Sequence, residues 1–311
     1  MKAIIINKYG SVDELKIAEV QMPSVKLNEI LVKNYYTSIN PLDYKARKGE
    51  LKMFINSKFP KIFGAESAGI IEQVGNDVTS FKKGERVMIM PGFKFGTYAE
   101  YTSCPDNIVF KLPDNVTFQQ GGSLTMAGGT AYCGLYLKGK IKQGDEVLIN
   151  GAYGGIGSIA VQLAKLAGAK VTGVCSTENI ENVKALHADT VIDYTKQDVY
   201  AVANKFDIVF DTVGKLDVGK IKGILKNGGV MVTTVPSFKV FLAMFLNIFS
   251  SKKIKSVINK PTVKMMTFLA NMVAEQKLKI IIDREYNLEE ISKAHTYSET
   301  GKAKGKIIIK V

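Results

Sequence analysis

A β-rich domain interrupted by a parallel α/β domain is the fold class this sequence predicts, and three features carry that reading. Through the first 120 residues, short β-branched runs are separated by turns rich in glycine, asparagine and proline. Near Gly121 the rhythm changes to Val- and Ile-rich strands alternating with helical segments, the pattern of a parallel sheet covered on both faces. A last strand follows the α/β part, so the tail is expected to return to the first domain. The boundaries expected are 1–122, 123–260 and 261–311.

The elements follow in order. Lys2–Asn7, Ile30–Tyr36, Ala68–Val74 and Arg86–Met90 read as strands of a barrel-like domain, with GNDVTSFKKGE as one of its turns. Five further strands are expected at Glu146–Asn150, Lys170–Cys175, Thr190–Asp193, Phe206–Phe210 and Gly229–Val235. Between the first two, Ile156, Ala160, Leu163, Ala164 and Ala167 share one helical face. An apolar segment, Phe238–Phe249, and a helix near Thr262–Gln276 come next. The ending reads as strand Leu278–Ile282, a helix opened by the capping box of Asn287 and Glu290, and strand Lys306–Val311.

At 311 residues, 46% hydrophobic and 23% charged, the chain suits a folded protein of two domains. The net charge is +13, yet only Arg47, Arg86 and Arg284 are arginines. Scattered lysines serve solubility and attract an anionic cofactor, whereas nucleic-acid sites favour arginine forks, so no nucleic-acid partner is expected. Cys104, Cys133 and Cys175 are far apart, and only His187 and His295 join them, so no disulfide framework and no metal site are expected. No run approaches the roughly 20 apolar residues of a membrane span. The N-terminus reads as a strand rather than a signal peptide, and a cytoplasmic protein is expected.

The most specific chemical motif is the strand Glu146–Asn150, the turn GAYGGIG at 151–157, and the helix after it. A strand, a tight glycine turn and a helix N-terminus aimed at a pyrophosphate make a dinucleotide site, with Gly154, Gly155 and Ile156 as binding residues. Ala152 stands where the usual fingerprint has its first glycine. At the end of the next strand Cys175 replaces the acid that would bind a free ribose hydroxyl, and Ser176 and Thr177 offer donors to a 2′-phosphate. Tyr194 lies against adenine or reaches that phosphate, Lys184 adds charge or covers a helix surface, and Glu178 is a counter-signal. The expected cofactor is NADPH.

Together these motifs resemble the medium-chain dehydrogenase/reductase superfamily, in its zinc-independent quinone oxidoreductase (zeta-crystallin-like) branch. The resemblance rests on SINPLDYKARKG at 38–49, FGAESAG at 63–69 with Val74-Gly75, GTYAE at 96–100, GTAY at 129–132, the 152–157 turn and VIDY at 191–194. It implies a GroES-like catalytic domain, a doubly wound Rossmann domain, a cleft between them, and a homodimer. Zinc-dependent relatives have a Cys-His pair where this chain has Asn40-Pro41, a second His at Ala65, and a Cys near Thr125. The resemblance therefore implies zinc-free chemistry, since Glu66 alone cannot build a tetrahedral site.

Without a Lewis acid, hydride is expected to pass from NADPH to an acceptor that is already electron-poor, a quinone or an enone. Asn40 is a candidate donor to the nicotinamide ribose or the acceptor carbonyl, and Lys45 to a developing enolate or hydroquinone oxygen. Thr130 is a nicotinamide-side candidate by resemblance. The alternative for Asp43, Lys45 and Arg47 is a surface ion-pair cluster. Some relatives carry tyrosine at the Lys45 position, and a glycine where this chain has His187. Phe238–Phe249 is open to three roles: wall of the acceptor site, dimer edge, or peripheral membrane contact. The functional alternatives are a 2-alkenal or enone reductase and a low-turnover NADPH-binding, RNA-associating protein.

Overall fold

The computed structural model describes residues 1–55, 58–203 and 205–311, the side chain of Phe249 excepted. Two compact units emerge. One comprises Met1–Met126, Pro261–Gln276 and Ile282–Val311; the other comprises Ala127–Lys260 and Lys277–Ile281.

The first unit begins with β1 (Lys2–Ile6), β2 (Lys16–Glu19) and β3 (Glu29–Ile39), which runs into the short helix α1 (Pro41–Arg47). Then come β4 (Lys61–Ile62), β5 (Ser67–Val74), β6 (Arg86–Ile89), β7 (Tyr101–Pro105), β8 (Val109–Lys111) and the single turn α2 (Phe118–Gly121). β3 is the longest strand and the organising one, paired antiparallel with both β5 and β7. Its alternating Ile30 and Val32 bury against Ile71, Val87, Ile89 and Val109, which fixes the register of the sheet.

α3 (Thr125–Tyr132) leads into the second unit. There β9 (Glu146–Asn150), α4 (Gly155–Leu166), β10 (Lys170–Cys175), α5 (Ile180–Ala185), β11 (Thr190–Asp193) and β12 (Phe206–Asp211) alternate. They are followed by α6 (Val218–Ile221), β13 (Leu225–Thr233), α7 (Phe238–Phe245) and β14 (Lys253–Ser256). The sheet runs β11-β10-β9-β12-β13-β14 with every pair parallel. Strand order reverses between β9 and β12, the switch point at whose carboxyl ends such sheets bind ligands. The sequence reading counted five strands here; β14, with the alternating lysines of KIKS, is the sixth.

The chain then supplies α8 (Val263–Ala274), β15 (Ile282–Asn287), α9 (Ile291–Glu299) and β16 (Lys306–Lys310). β16 lies antiparallel on β3, Ile307 opposite Ile39, and β15 lies parallel to β16. One expectation needs correcting: the strand placed at Leu278–Ile282 begins only at Ile282. Leu278 and Ile280 are buried as anchors of a connecting run, while the hydrogen-bonding partner that defines a strand, β16, is met from Ile282 onward. The Asn287–Glu290 capping box is present, and closes a 3₁₀ turn ahead of α9.

Candidate active site

In the first unit the end of β3 builds a closed polar cluster. Ser38 is its last buried hydroxyl, and Asn40 caps α1, its backbone N–H donating to Asp43 Oδ2 at 2.8 Å. Pro41 at the first helical position has no N–H to satisfy, so the helix can start at once. Across from it stands Glu66, fully buried in the FGAES stretch. Gly64 lets that stretch turn: its φ is +95°, and a Cβ there would meet Thr97 Oγ1 at 2.3 Å.

Glu66 is held on both oxygens. Oε1 accepts from Ser38 Oγ at 2.6 Å, Lys306 Nζ at 2.9 Å and Asn40 Nδ2 at 3.1 Å. Oε2 accepts from Thr125 Oγ1 and the Met126 N–H, both at 2.7 Å. Lys306 also donates to Asn40 Oδ1 at 2.7 Å. Burial alone would raise the Glu66 carboxyl, but Lys306, Ser38 and the Met126 N–H outweigh it and hold the group below the usual carboxylate range. The buried charge is therefore paired and hydrogen-bonded, as low-dielectric surroundings demand.

A second layer of buried groups lies behind this one. Asp43, Arg47, Tyr98 and His295 are all inaccessible, so the alternative of a surface ion-pair cluster fails. The reason is the helical phase of α1, which turns Asp43 and Arg47 inward, and Arg47 instead pairs with Glu299 and donates to Gly10 O. Burial pushes the Asp43 carboxyl up to about 7 despite the Asn40 N–H that favours its charge. Burial also pulls the His295 imidazole down to about 3, with the Arg47 cation adding to the effect, and its Nε2 lies 3.3 Å from the Tyr98 hydroxyl.

The candidate acceptor-side residues differ in kind. Asn40 has both ends of its carboxamide engaged within the cluster. Lys45 is half-buried on α1, and its ammonium makes no hydrogen bond or ion pair among the described residues. Lys306 was missed by the sequence reading; it is one lysine among many, and only the register of β16 against β3 brings it beside Asn40.

In the second unit, Gly154, Gly155 and Ile156 lie together at the start of α4, whose N-cap Gly154 makes no side-chain cap. The first helical N–H groups are thus available to an anion. Gly157 is set by packing: a Cβ there would stand 2.0 Å from Gly151 O. At the end of β10 Cys175 is buried, and Ser176 Oγ accepts from Asn179 Nδ2 at 3.0 Å, leaving its own O–H to donate elsewhere. Thr177 is committed differently, donating its hydroxyl to Asp193 Oδ2 at 2.5 Å. Asp193 sits opposite Cys175 at the end of β11, so an acid is present near this corner, one strand over from where the sequence reading looked. Tyr194 is exposed beside it, and Thr130 is half-buried on α3.

Two family models match: the alcohol dehydrogenase GroES-like domain over residues 26–114, and zinc-binding dehydrogenase over residues 186–309. A 2-methylene-furan-3-one reductase of Solanum lycopersicum is 34% identical over 99% of this chain and 79% of its own length. An NADPH-dependent alkenal/one oxidoreductase of Arabidopsis thaliana is 31% identical with the same coverage. The solved quinone oxidoreductase of Coxiella burnetii is 33% identical, with a TM-score of 0.92 covering 100% of this chain and 99% of that one. The chain belongs to the medium-chain dehydrogenase/reductase superfamily. It falls in the quinone oxidoreductase branch, with a GroES-like domain and a Rossmann-type domain.

The second model's description names zinc, and the donors of this medium-chain reductase do not fit that ion. Where the resemblance places metal ligands, this chain holds an amide at Asn40 and a methyl at Ala65, with the hydroxyl of Thr125 near the third position. The carboxylate nearby, Glu66, already carries five donors including an ammonium. Among the described residues no three His, Cys, Asp or Glu converge. The turn and helix start at 151–157, by contrast, suit a dinucleotide pyrophosphate.

Proposed function

We propose that this protein is a zinc-independent, NADPH-dependent reductase whose acceptors are quinones and other electron-poor carbonyl compounds. The observation that carries the reading is the Glu66–Lys306 pair with its neutral donors, set among residues where the family resemblance places the zinc ligands of other branches. Bound to the Rossmann-type unit, the cofactor supplies a hydride. Gly154, Gly155 and Ile156 would hold its pyrophosphate, Ser176 and Tyr194 its 2′-phosphate side, with Thr177 acting there through Asp193, and Thr130 its nicotinamide side. Lys45, whose ammonium has no hydrogen bond or ion pair among the described residues, is the candidate donor to the acceptor oxygen as negative charge gathers on it. Asn40, engaged at both ends, is a positioning residue that fixes Lys306 and Glu66.

A 2-alkenal or enone reductase is the second reading, favoured by the two plant relatives named for such substrates. The reading includes a homodimer, checked by sedimentation, and a cytoplasmic setting, checked by fractionation. Among the described residues no helix is long and apolar enough to cross a membrane.

The test is oxidation of NADPH, with NADH alongside, against 1,4-benzoquinone, 9,10-phenanthrenequinone, acrolein, a longer 2-alkenal and an enone, in the presence of a chelator. NADPH turnover unaffected by chelation is expected, and the preferred acceptor separates the two readings. Binding of NADPH with no turnover on any acceptor would sink both and favour an RNA-associating protein.

A further inference from the structure

The connection between β13 and β14 carries its apolar side outward. Val240 is buried and Ala243 and Met244 are half-buried, packing α7 onto the core that holds Met231 and Ile254. Phe238, Phe241, Leu242, Phe245, Leu246 and Ile248 point away, Phe238 exposed by 83% and both Phe245 and Ile248 by 73%. Soluble monomers rarely leave so continuous an apolar patch to water. Twelve residues are too few to span a bilayer, so whatever covers this face must lie alongside it.

The surrounding charge says what that is. From Val218 to Lys260 the chain holds eight lysines and no aspartate or glutamate. Lys239 is exposed on α7 itself, Lys220 lies on α6, which packs against α7, and Lys252, Lys253 and Lys255 follow the apolar segment. Lys253 Nζ donates to Asn247 O at 2.6 Å, which places an ammonium at the end of the exposed run. Asp217 lies within electrostatic reach of Lys239, and it is occupied in capping α6 through the Gly219 and Lys220 N–H groups. A second copy of this face would set lysines against lysines, and a neutral apolar partner would leave them unmatched. An anionic bilayer meets both halves: acyl chains for the Phe, Leu and Ile side chains, phosphates for the ammonium groups.

We propose that α7 and the turn after it dock the nucleotide-binding unit onto an anionic phospholipid surface. The helix lies in the interface plane, with its four outward apolar side chains and the two of the turn, Leu246 and Ile248, at the headgroup–acyl boundary. Docking is reversible and salt-sensitive, because a short helix and a cluster of lysines form a weak anchor. It stands whether or not the reductase reading holds.

The test is co-sedimentation of the full chain with phosphatidylcholine vesicles, with and without phosphatidylglycerol. Wild type is expected to bind the phosphatidylglycerol vesicles at least ~10-fold more tightly, and to lose that margin in high salt. Phe241→Asp with Phe245→Asp is expected to weaken binding by ~10-fold or more with an unchanged melting temperature. Phe238→Ser, at the most exposed position, repeats the test if the pair fails to fold. The proposal is overturned by a wild type that ignores the anionic vesicles, or by binding that these variants leave intact. It is equally overturned if the wild type is a dimer that the variants split, which would make the occupant a second copy. Reduced turnover of a water-soluble quinone by the variants, measured without vesicles, would overturn it too, in favour of an acceptor-site wall.

Discussion

Replacing Lys306 with methionine removes the one cation that pairs with Glu66 among the described residues and keeps most of the volume of the stem. Both partners are essentially inaccessible, with side-chain exposures of 4% and 0%, so water cannot step in for the ammonium. Breaking a buried pair from one side costs about 3–5 kcal/mol. The lower end is expected here, because Ser38, Asn40, Thr125 and the Met126 N–H still donate to the carboxylate. Glu66→Gln in the same chain removes the stranded charge, so the double variant should recover about 2 kcal/mol of the loss. The sign of the pH dependence follows. In the wild type the Glu66 carboxyl is held low, which contributes stability above its unfolded pKa and is lost as pH falls. Removing Lys306 takes away the largest influence that lowers this carboxyl, so the Lys306→Met variant is least impaired in mild acid and worsens as pH increases. Urea unfolding of the four chains of the cycle, at pH 5.5 and 8, reads all of this. Additive single effects with no pH dependence would refute the argument and reduce Lys306 to a packing residue.

Three further outcomes follow from the same structure. Gly157→Ala forces a Cβ to 2.0 Å from Gly151 O, and is expected to cost about 1–3 kcal/mol and to weaken NADPH binding, read by urea unfolding and fluorescence titration. His187 follows α5 with φ at +66°, where glycine is the unstrained choice, so His187→Gly should raise stability by about 1 kcal/mol. Asp43, raised from 3.8 to about 7, favours the fold at low pH and loses that contribution as pH rises; His295, lowered from 6.5 to about 3, does the opposite between those values. The two slopes cancel in the wild type between roughly pH 4 and 6.5, and His295→Phe should expose the Asp43 slope, on the order of 4 kcal/mol, in a stability–pH series.

The parallel sheet was legible because buried parallel strands are written as unbroken Val and Ile runs. Glu146–Asn150, Lys170–Cys175 and Thr190–Asp193 begin and end where the sequence reading placed them. β14 escaped because an edge strand that alternates Lys with Ile and Ser reads as surface chain. The glycine turn was legible for a steric reason, since Gly157 has no alternative. Residues 38–49 stood out, but their burial did not: nothing local says that Asp43 and Arg47 face inward, or that the partner of Arg47 is Glu299, 252 positions away. Thr177 shows the same limit. Its hydroxyl was free on paper, and Asp193 claims it only because β10 and β11 end side by side.

The Lys306 result bears on how one fold can run with and without a metal. Asn40, Thr125 and the residue after Ala65 lie at or beside positions where zinc-dependent relatives carry ligands, and here they still converge: Asn40 and Thr125 each reach Glu66 within 3.1 Å. The convergence belongs to the backbone, to the β3–α1 junction, the Gly64 turn and the start of α3. What changes is the cation. A divalent ion binds through open coordination positions and polarises an incoming oxygen, whereas the Lys306 ammonium is fixed by a covalent stem and spends its hydrogen bonds on Glu66 and Asn40. It keeps the local charge balanced and the loops in place, and as an ammonium it has no Lewis-acid coordination position to offer an alcohol oxygen. A substrate reduced beside such a cluster must bring its own electron sink, which is what a quinone ring or a conjugated carbonyl does.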